Sequence, residues 1–209
     1  MDGPDNGNQK GPGTTVVGKI KDRYLEIYSS LDYGPIATAR GLMGALFCTQ
    51  TLPPMKTLCV GSGNAYEAVC FRQNAFDVYT VDYYCPKVKI LTGRQIIGQG
   101  QQLPFRDDAF ELVFSAECIE HIPETDIDVF MLELKRVGKI FRFTIDDNDD
   151  PPYHTHQCIH EIDWWMEHFN KWGYWGIFVK PQTYHLKIGD TTKASFDKGF
   201  RFEGSKVIP

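Results

Sequence analysis

The segment Thr57-Leu-Cys-Val-Gly-Ser-Gly-Asn-Ala-Tyr66 decides the fold prediction for this chain. A short apolar run is interrupted by two glycines, and helix-compatible residues follow. A strand, a tight glycine turn and a helix in this order bring backbone N–H groups and a helix N-terminus to a bound ligand. A second predicted strand, Asp77–Val81, ends at Asp82, nineteen residues after Gly63. A carboxylate there can accept hydrogen bonds from both ribose hydroxyls, so the pattern predicts binding of an adenosine-containing cofactor.

A second motif distinguishes between adenosine cofactors. The third glycine of a dinucleotide fingerprint would fall at Tyr66, and a tyrosine hinders the close pyrophosphate approach that NAD or FAD binding uses. The stretch Leu103-Pro-Phe-Arg-Asp-Asp-Ala-Phe-Glu-Leu-Val-Phe-Ser-Ala-Glu-Cys-Ile-Glu-His121 resembles the class I S-adenosylmethionine-dependent methyltransferases, in particular the small-molecule type with an LPF…DxxFDLV…LEH signature. The resemblance runs from about Thr57 to His121 and continues more weakly to about Lys180. It implies S-adenosylmethionine as cofactor and S-adenosylhomocysteine as product.

The resemblance assigns cofactor contacts residue by residue. It places the glycine turn against the methionine part of the cofactor, Asp82 on the ribose and Tyr83 on the adenine. Gln99 stands where the family usually has an aspartate that faces the adenine amino group. The end of the strand before His121 matches the positions under the sulfonium. The implied cofactor-binding residues are Gly61, Ser62, Gly63, Asp82, Tyr83, Gln99, Gly100, Gln101, Leu103, Ala116 and Glu117.

Two positions depart from the family pattern. Cys59 replaces the acidic residue that usually precedes the glycine turn and helps to hold the cofactor's ammonium, and Ala65 replaces a third small residue that is often glycine. Loss of one carboxylate weakens binding by about 1 kcal/mol, the scale of a charge-assisted hydrogen bond. Glu117 and Glu67 are alternative candidates for a compensating carboxylate.

Alternating predicted strands and helices indicate an α/β fold. The fold class is a doubly wound, mostly parallel, seven-stranded Rossmann-like methyltransferase sheet with an N-terminal helical cap. Residues 1–15 are expected to be a disordered tail and 16–209 a single domain, with cap helices in 16–52 and the cofactor-binding core in 53–209. Predicted helices cover Val17–Leu31, Ile36–Thr49, Tyr66–Gln73, Asp126–Lys135 and Glu161–Trp172, and predicted strands cover Thr57–Val60, Asp77–Val81, Gln95–Ile97, Phe110–Ser115, Lys139–Ile145, Trp175–Val179 and Ser195–Phe202. The last two strands are expected to form a closing antiparallel pair.

Candidate acceptor-side residues follow the fourth and fifth predicted strands, because ligands of such sheets bind at the carboxyl ends of the strands. His121 follows the fourth strand, and His154 and His156 follow the fifth. A histidine there can accept a proton near neutral pH, and it can equally fix a loop by hydrogen bonding. From the resemblance, the N-terminal helices lie over the cofactor site, which makes Tyr24, Tyr28 and Tyr33 candidates for substrate binding; simple helix packing is the alternative.

No metal is expected from the sequence. The acidic run 146–150 suits a hard cation, but a solvated acidic loop is the simpler interpretation. His154, His156, Cys158 and His160 alternate, and in a strand alternate side chains line one face, which suits tetrahedral zinc ligation poorly.

Length and composition are typical of a compact enzyme. The chain has 209 residues, 42% of them hydrophobic, and a net charge of −5, which disfavours a nucleic-acid surface. The six scattered cysteines indicate reduced core thiols. A cytoplasmic location, no membrane partner and a monomer or homodimer are expected. The predicted reaction is SN2 methyl transfer from S-adenosylmethionine to a small molecule; the alternatives are a non-catalytic cofactor-binding scaffold and a methyltransferase acting on protein or nucleic acid.

Overall fold

A computed structural model describes residues 34–83, 94–149, 154–179, 185–188, 191–195 and 200–206. The helices are α1 (Gly34–Thr51), α2 (Tyr66–Gln73), α3 (Ile127–Val137) and α4 (Ile162–Lys171), with a 3-10 turn at Ile119–His121. The strands are β1 (Lys56–Val60), β2 (Asp77–Asp82), β3 (Gln95–Ile97), β4 (Phe110–Ala116), β5 (Gly138–Ile145), β6 (Tyr174–Val179), β7 (His185–Ile188), β8 (Thr191–Ser195) and β9 (Phe200–Lys206).

Seven strands form one sheet in the order β3-β2-β1-β4-β5-β9-β6. Strands β1 to β5 run parallel, and β9 is antiparallel to both of its neighbours. The chain moves from β1 outward to β2 and β3 and then returns to the other side of β1 at β4. This reversal is a topological switch point, and ligands of open α/β sheets bind in the crevice outside the carboxyl ends of the strands at such a point.

The sheet is buried on both faces, which explains its near-continuous apolar strands. Along β1, Leu58 and Val60 pack into a core that includes α3 and α4, whereas Cys59 packs into a second core with α1 and α2. Strand β4 alternates in the same way, with Val113 in the first core and Leu112 in the second. Successive side chains of a strand point to opposite faces, so this alternation fixes a three-layer arrangement of helix, sheet and helix.

Helix α1 lies close to the sheet because its buried face carries small side chains. The buried positions on this face recur at helical spacing, and they are Gly41, Gly44, Ala45 and Cys48. A Cβ atom at Gly44 would lie 3.1 Å from the ring of Phe114 in β4. Glycine at this point therefore allows the helix backbone to approach the strand, and α1 passes over the edge of the sheet where β4 and β5 end.

The predicted fold class is confirmed, and most predicted elements lie within two residues of the observed ones. Two details were wrong. The predicted strand Ser195–Phe202 is divided, since Ser195 ends β8, which pairs with β7 in a separate two-stranded sheet, and β9 begins at Phe200. The spacing of Ile162, Trp165, Met166 and Phe169 in the predicted helix Glu161–Trp172 indicates one buried stripe. Met166 is nevertheless 43% exposed, because the buried side of α4 runs through Trp165 and Phe169 to Trp172. The predicted helix Val17–Leu31 lies outside the described residues.

Five cysteines fall in the described segments, and all five are free thiols: Cys48, Cys59, Cys70, Cys118 and Cys158. Four are buried and Cys118 is half-buried, as expected for core thiols. None of the helices in the described part of the chain has the length and apolar character needed to cross a bilayer.

Candidate active site at the carboxyl edge of the sheet

The glycine turn after β1 is held by backbone hydrogen bonds and by a close side-chain neighbour. The N–H of Gly61 donates to the carbonyl of Val81 at 2.9 Å, which ties the turn to β2. Gly61 has φ +68°, and a Cβ atom there would overlap the Sγ of Cys118. Only glycine satisfies both conditions, because the left-handed conformation and the close approach each exclude a side chain.

Asp82 and the glycine turn are in direct contact. The Oδ2 atom of Asp82 accepts the N–H of Gly63 at 2.7 Å, so the carboxylate that ends β2 also orders the turn after β1. Ser62 is buried, and its carbonyl accepts the N–H of Ala65 at 2.6 Å. Ala65, at φ +60°, begins α2 without a side-chain cap. The first turn of α2 consequently has N–H groups that no side chain caps, as in sites that receive an anionic or polar ligand.

A carboxylate lies beside the turn although Cys59 replaces the usual acid. Cys59 is buried in the core, whereas Glu67 in the first turn of α2 has its Oε2 3.9 Å from the position that a Cβ of Gly41 would occupy. Burial, reinforced by nearby Asp82, raises the pKa of Glu67 to about 8. Within the described segments no lysine or arginine forms an ion pair with Glu67. A cationic ligand group at this place would favour ionisation of Glu67 and pair with its carboxylate.

Arg40 of α1 bridges the loops that follow β4 and β5. Its Nη1 forms a short contact with Oε2 of Glu117 and a 2.7 Å hydrogen bond to Oδ2 of Asp146. All three side chains are about 15% exposed or less. Burial disfavours the charged guanidinium, but the two carboxylates outweigh it, and the pKa of Arg40 lies above its ordinary value. The same bond holds the pKa of Asp146 below its usual range despite burial.

Glu120 is a fully buried carboxyl group next to this ion pair. Its Oε1 accepts the backbone N–H of Asp146 at 3.1 Å, and its Oε2 has no hydrogen-bond partner among the described residues. Burial, followed by the nearby Glu117 carboxylate, raises the pKa of Glu120 well above its ordinary value. The backbone carbonyl of Glu120 accepts the N–H groups of Gln157 and Cys158 at 2.8 and 2.9 Å, which joins the two loops.

His121 and His156, two of the three predicted catalytic histidines, are brought together. Their ring centroids are 4.6 Å apart with planes at 77°. Nδ1 of His121 faces the carbonyl oxygen of Thr155 at 3.2 Å, and Nδ1 of His156 makes a short contact with the carbonyl oxygen of Asn148. A carbonyl oxygen can only accept, so each Nδ1 carries the proton and the lone pair of each ring is on Nε2.

The remaining histidines of this loop have other surroundings. The side chain of His154 is 60% exposed, and its Nδ1 lies 2.6 Å from Asp149. His160 stacks on Trp164 at 3.9 Å between ring centroids and lies 3.3 Å from Glu124, and Cys158 is buried. Residues 154–160 do not form a strand, so the alternating positions diverge instead of lining one face.

The predicted adenine segment is anchored by α3. Leu103 is buried, its N–H donates to Glu133 at 2.7 Å, and its carbonyl accepts from Arg136. A Cβ at Gly100 would overlap the ring of Phe130, and Gln101 lies 3.5 Å from Asp126. Gln99 is exposed, and Tyr83 is half-buried directly after β2. The three predicted acceptor tyrosines, Tyr24, Tyr28 and Tyr33, lie outside the described residues.

Two site residues were missed from the sequence. Arg40 is the only charged residue in the 18-residue helix α1, and a lone charge in an apolar helix is a usable signal. Glu120 stands inside the quoted motif between Glu117 and His121, but sequence alone does not show that its side chain is buried. Ala116, predicted to lie under the sulfonium, ends β4 with its Cβ 3.7 Å from the Cβ position of Gly41.

Comparisons with known proteins agree with this architecture. A family model described as a methyltransferase domain matches residues 58–140. A Burkholderia thailandensis 1,6-didemethyltoxoflavin-N1-methyltransferase, solved with 1,6-didemethyltoxoflavin and S-adenosylhomocysteine bound, is 12% identical with a TM-score of 0.67 and covers 95% of this chain and 92% of its own. A putative methyltransferase in complex with the Haloferax volcanii Trm112 methyltransferase activator is 15% identical, with a TM-score of 0.62 and coverage of 90% and 97%.

A third similar structure is the [4+2]-cyclase SpnF, at 18% identity, a TM-score of 0.59 and coverage of 78% and 73%. No curated protein matches the sequence. Residues 58–140 match a methyltransferase domain, and the sheet order is that of a Rossmann-like methyltransferase fold. The family and cofactor that the sequence predicted are thereby confirmed.

Proposed function

We propose that this methyltransferase transfers a methyl group to a small-molecule acceptor that binds beside His121 and His156. The observation that carries the proposal is the meeting of these two imidazoles in the loops that follow β4 and β5. Both rings are oriented by backbone carbonyls, and orientation of groups around reacting atoms supplies a large part of the acceleration in bimolecular transfer.

The proposed reaction is SN2 displacement at the methyl carbon. The acceptor's electron pair forms the new bond, the carbon–sulfur bond breaks, and its electrons stay on the sulfur of S-adenosylhomocysteine. On the cofactor side, Asp82 is proposed to bind the ribose and Glu67 the ammonium that Cys59 cannot bind. His121 and His156 are the proposed acceptor-side residues. His154 is exposed and contacts Asp149, and its catalytic role stays a prediction from the sequence.

The acidic setting beside α1 supports a small acceptor. Helix α1 passes over the ends of β4 and β5, where its Arg40 pairs with Asp146. The chain has a net charge of −5, whereas surfaces that bind nucleic acid are usually positively charged. The Burkholderia methyltransferase, whose bound acceptor is a small molecule, has this fold over nearly all of its length. A cytoplasmic monomer or homodimer remains part of the proposal.

A trideuteromethyl-labelled cofactor tests the acceptor class. The protein is incubated with a cell extract divided by ultrafiltration into small molecules and macromolecules, and the label is followed by mass spectrometry. We expect label in the small-molecule fraction. His156→Gln is expected to lower that labelling while S-adenosylhomocysteine affinity stays within about twofold, or roughly 0.4 kcal/mol.

A second candidate, a binding protein without methyl transfer, is favoured by one departure, the loss of the family's acid at Cys59. The [4+2]-cyclase SpnF, which has a similar fold, illustrates that this fold also occurs in a protein named for a different reaction. Binding of S-adenosylhomocysteine with no label in either fraction would favour this candidate. Label confined to the macromolecular fraction would instead show a protein or nucleic-acid substrate.

A further inference from the structure

We propose that Glu120, His121 and His156 form a binding site for a divalent transition-metal ion, here named the imidazole–carboxylate cluster. One potential ligand atom from each residue lies within 4.8 Å of the others. Tetrahedral ligands on one ion, with bonds of about 2.1 Å, lie about 3.4 Å apart. Side-chain shifts of about 1 Å or less per residue would therefore bring the three donors onto a common ion.

The histidines have the hydrogen bonds that metal ligands usually have. Metal-binding imidazoles almost always donate their other ring N–H to a carboxylate, a backbone carbonyl or water, which fixes the tautomer and the ring orientation. The Nδ1 groups of His121 and His156 both face backbone carbonyl oxygens, of Thr155 and Asn148. Nε2 then carries the lone pair in each ring, which is the form that binds a metal.

Glu120 supplies the second, independent observation. Its side chain is fully buried, with Oε1 fixed by the N–H of Asp146 and Oε2 without a hydrogen-bond partner in the described part of the chain. A buried carboxylate oxygen without a partner is costly, and a directional ligand removes that cost. The oxygen belongs to the same residue whose backbone carbonyl holds the loop of His156 in place.

The charge of the surroundings also fits a cation. Three acidic side chains, Glu117, Glu120 and Asp146, lie together with one guanidinium, that of Arg40, which contacts Glu117 and Asp146. Within the described segments, Glu120 has no ion pair with a lysine or arginine. Two imidazoles and one carboxylate form a donor set that suits zinc, manganese, iron or cobalt better than the all-oxygen cations magnesium and calcium.

The metal's catalytic role rests on the proposed function, whereas the site itself does not. An ion with open positions, placed at the acceptor side, would bind a hydroxyl oxygen of the acceptor and lower its pKa, as it does for bound water. The hydroxyl proton leaves to solvent, the oxygen pair forms the C–O bond, and the C–S bond breaks to give S-adenosylhomocysteine. The acceptor class is then a hydroxyl-bearing small molecule, and the two histidines act as ligands instead of bases.

Metal titration of the full-length protein tests the site directly. Chelator-treated protein is titrated by calorimetry with Zn²⁺, Mn²⁺ and Co²⁺ salts, and one equivalent is expected to bind. Glu120→Gln, His121→Gln and His156→Gln are each expected to weaken binding by roughly tenfold or more, the range known for changes around metal sites. His160→Gln is the matched control, because this histidine of the same loop stacks on Trp164 and should leave metal affinity unchanged.

Two further measurements keep the test decisive. If the variants fail to fold, as judged by circular dichroism, X-ray absorption of the zinc-loaded wild-type protein should still show two imidazole ligands. Absence of binding by the wild type, unchanged affinity in all three variants, or zinc without imidazole ligands would overturn the site. Metal binding without methyl transfer to any acceptor would contradict the proposed function alone, and methyl transfer that survives complete metal removal would contradict the metal's catalytic role alone.

Discussion

The two halves of the carboxyl edge are built by different physical means. The cofactor edge, made of residues 61–63 and Asp82 after β1 and β2, is held by backbone hydrogen bonds and by left-handed glycine conformations. The acceptor edge follows β4 and β5 and consists of Glu117, Glu120, His121, Asp146 and His156, with Arg40 of α1 paired to two of them. Ion pairs and oriented imidazoles stabilise this edge. The cofactor edge should therefore respond to changes of backbone shape, and the acceptor edge to changes of charge.

The largest effect is expected at the cofactor edge from Gly61→Ala. The new methyl group would overlap Cys118, and alanine is strained at φ +68°, so unfolding free energy should fall by about 4 kcal/mol. Urea denaturation measures the loss of unfolding free energy, and calorimetry with S-adenosylhomocysteine measures the loss of cofactor affinity. Gly98→Ala is the matched control, because its Cβ would meet only ordinary contacts at 3.6 Å or more. Equal stability of the two variants would refute the argument from backbone shape.

The acceptor edge should lose about 3 kcal/mol of stability in Arg40→Met, because Glu117 and Asp146 would be left without their buried cation. Arg94→Met provides the comparison. Its partner Asp77 is nearly half exposed, and such exposed pairs contribute about 1 kcal/mol or less. Thermal and denaturant unfolding of both variants at low and high salt give the difference. A loss at Arg40 no greater than at Arg94 would mean that charge does not hold this edge.

Asp82→Ala is expected to weaken S-adenosylhomocysteine binding by about 2 kcal/mol, or roughly thirtyfold, through loss of charge-assisted hydrogen bonds. Asp77→Ala removes the same group from the opposite end of β2, where it pairs with Arg94, and should leave affinity unchanged. Isothermal titration calorimetry measures both. An unchanged affinity in Asp82→Ala would show that this carboxylate orders the turn without reaching the ribose.

At pH 7 the smallest effect, about tenfold, concerns the ionisation of Glu67. With its pKa raised to about 8, Glu67 is protonated at neutral pH in the free protein and must ionise to receive the cofactor's ammonium. Affinity should therefore rise with pH up to about 8, by at most about tenfold per unit, and level off above it. Glu67→Gln should abolish this slope, and calorimetry from about pH 6 to pH 9 measures it.

The two alternatives for the missing acid at Cys59 give opposite results. If Glu67 compensates, Cys59→Asp should not tighten the cofactor, since it buries a second carboxylate beside the first. Persistence of the pH slope in Glu67→Gln, together with a loss of affinity in Glu117→Gln, would assign the compensation to Glu117 instead. Because Glu117 already contacts Arg40, the structure favours Glu67.

Sequence reasoning succeeded where the determinants are local. The strand, glycine turn and helix at 57–73 were predicted within one residue, and the apolar runs of β2 and β4 were recognised, because periodicity and glycine conformational freedom act within a few residues. It also predicted the antiparallel pairing of the last two strands of the large sheet, but it gave wrong bounds for the second of them, which is β9. The insertion of β9 between β5 and β6 was not predicted, because nothing in its own residues specifies β5 as its second neighbour.

The sequence by itself determined the fold class and the places of the glycine turn and Asp82 at the ends of β1 and β2, since the turn and Asp82 are separated by a short stretch of regular structure. Only the tertiary structure decided the acceptor edge. His121 and His156 meet because parallel strands β4 and β5 end side by side, and Arg40 joins Glu117 and Asp146 from 77 and 106 residues away. The burial of Glu120 follows from that assembly, because a side chain loses water only when distant elements close around it.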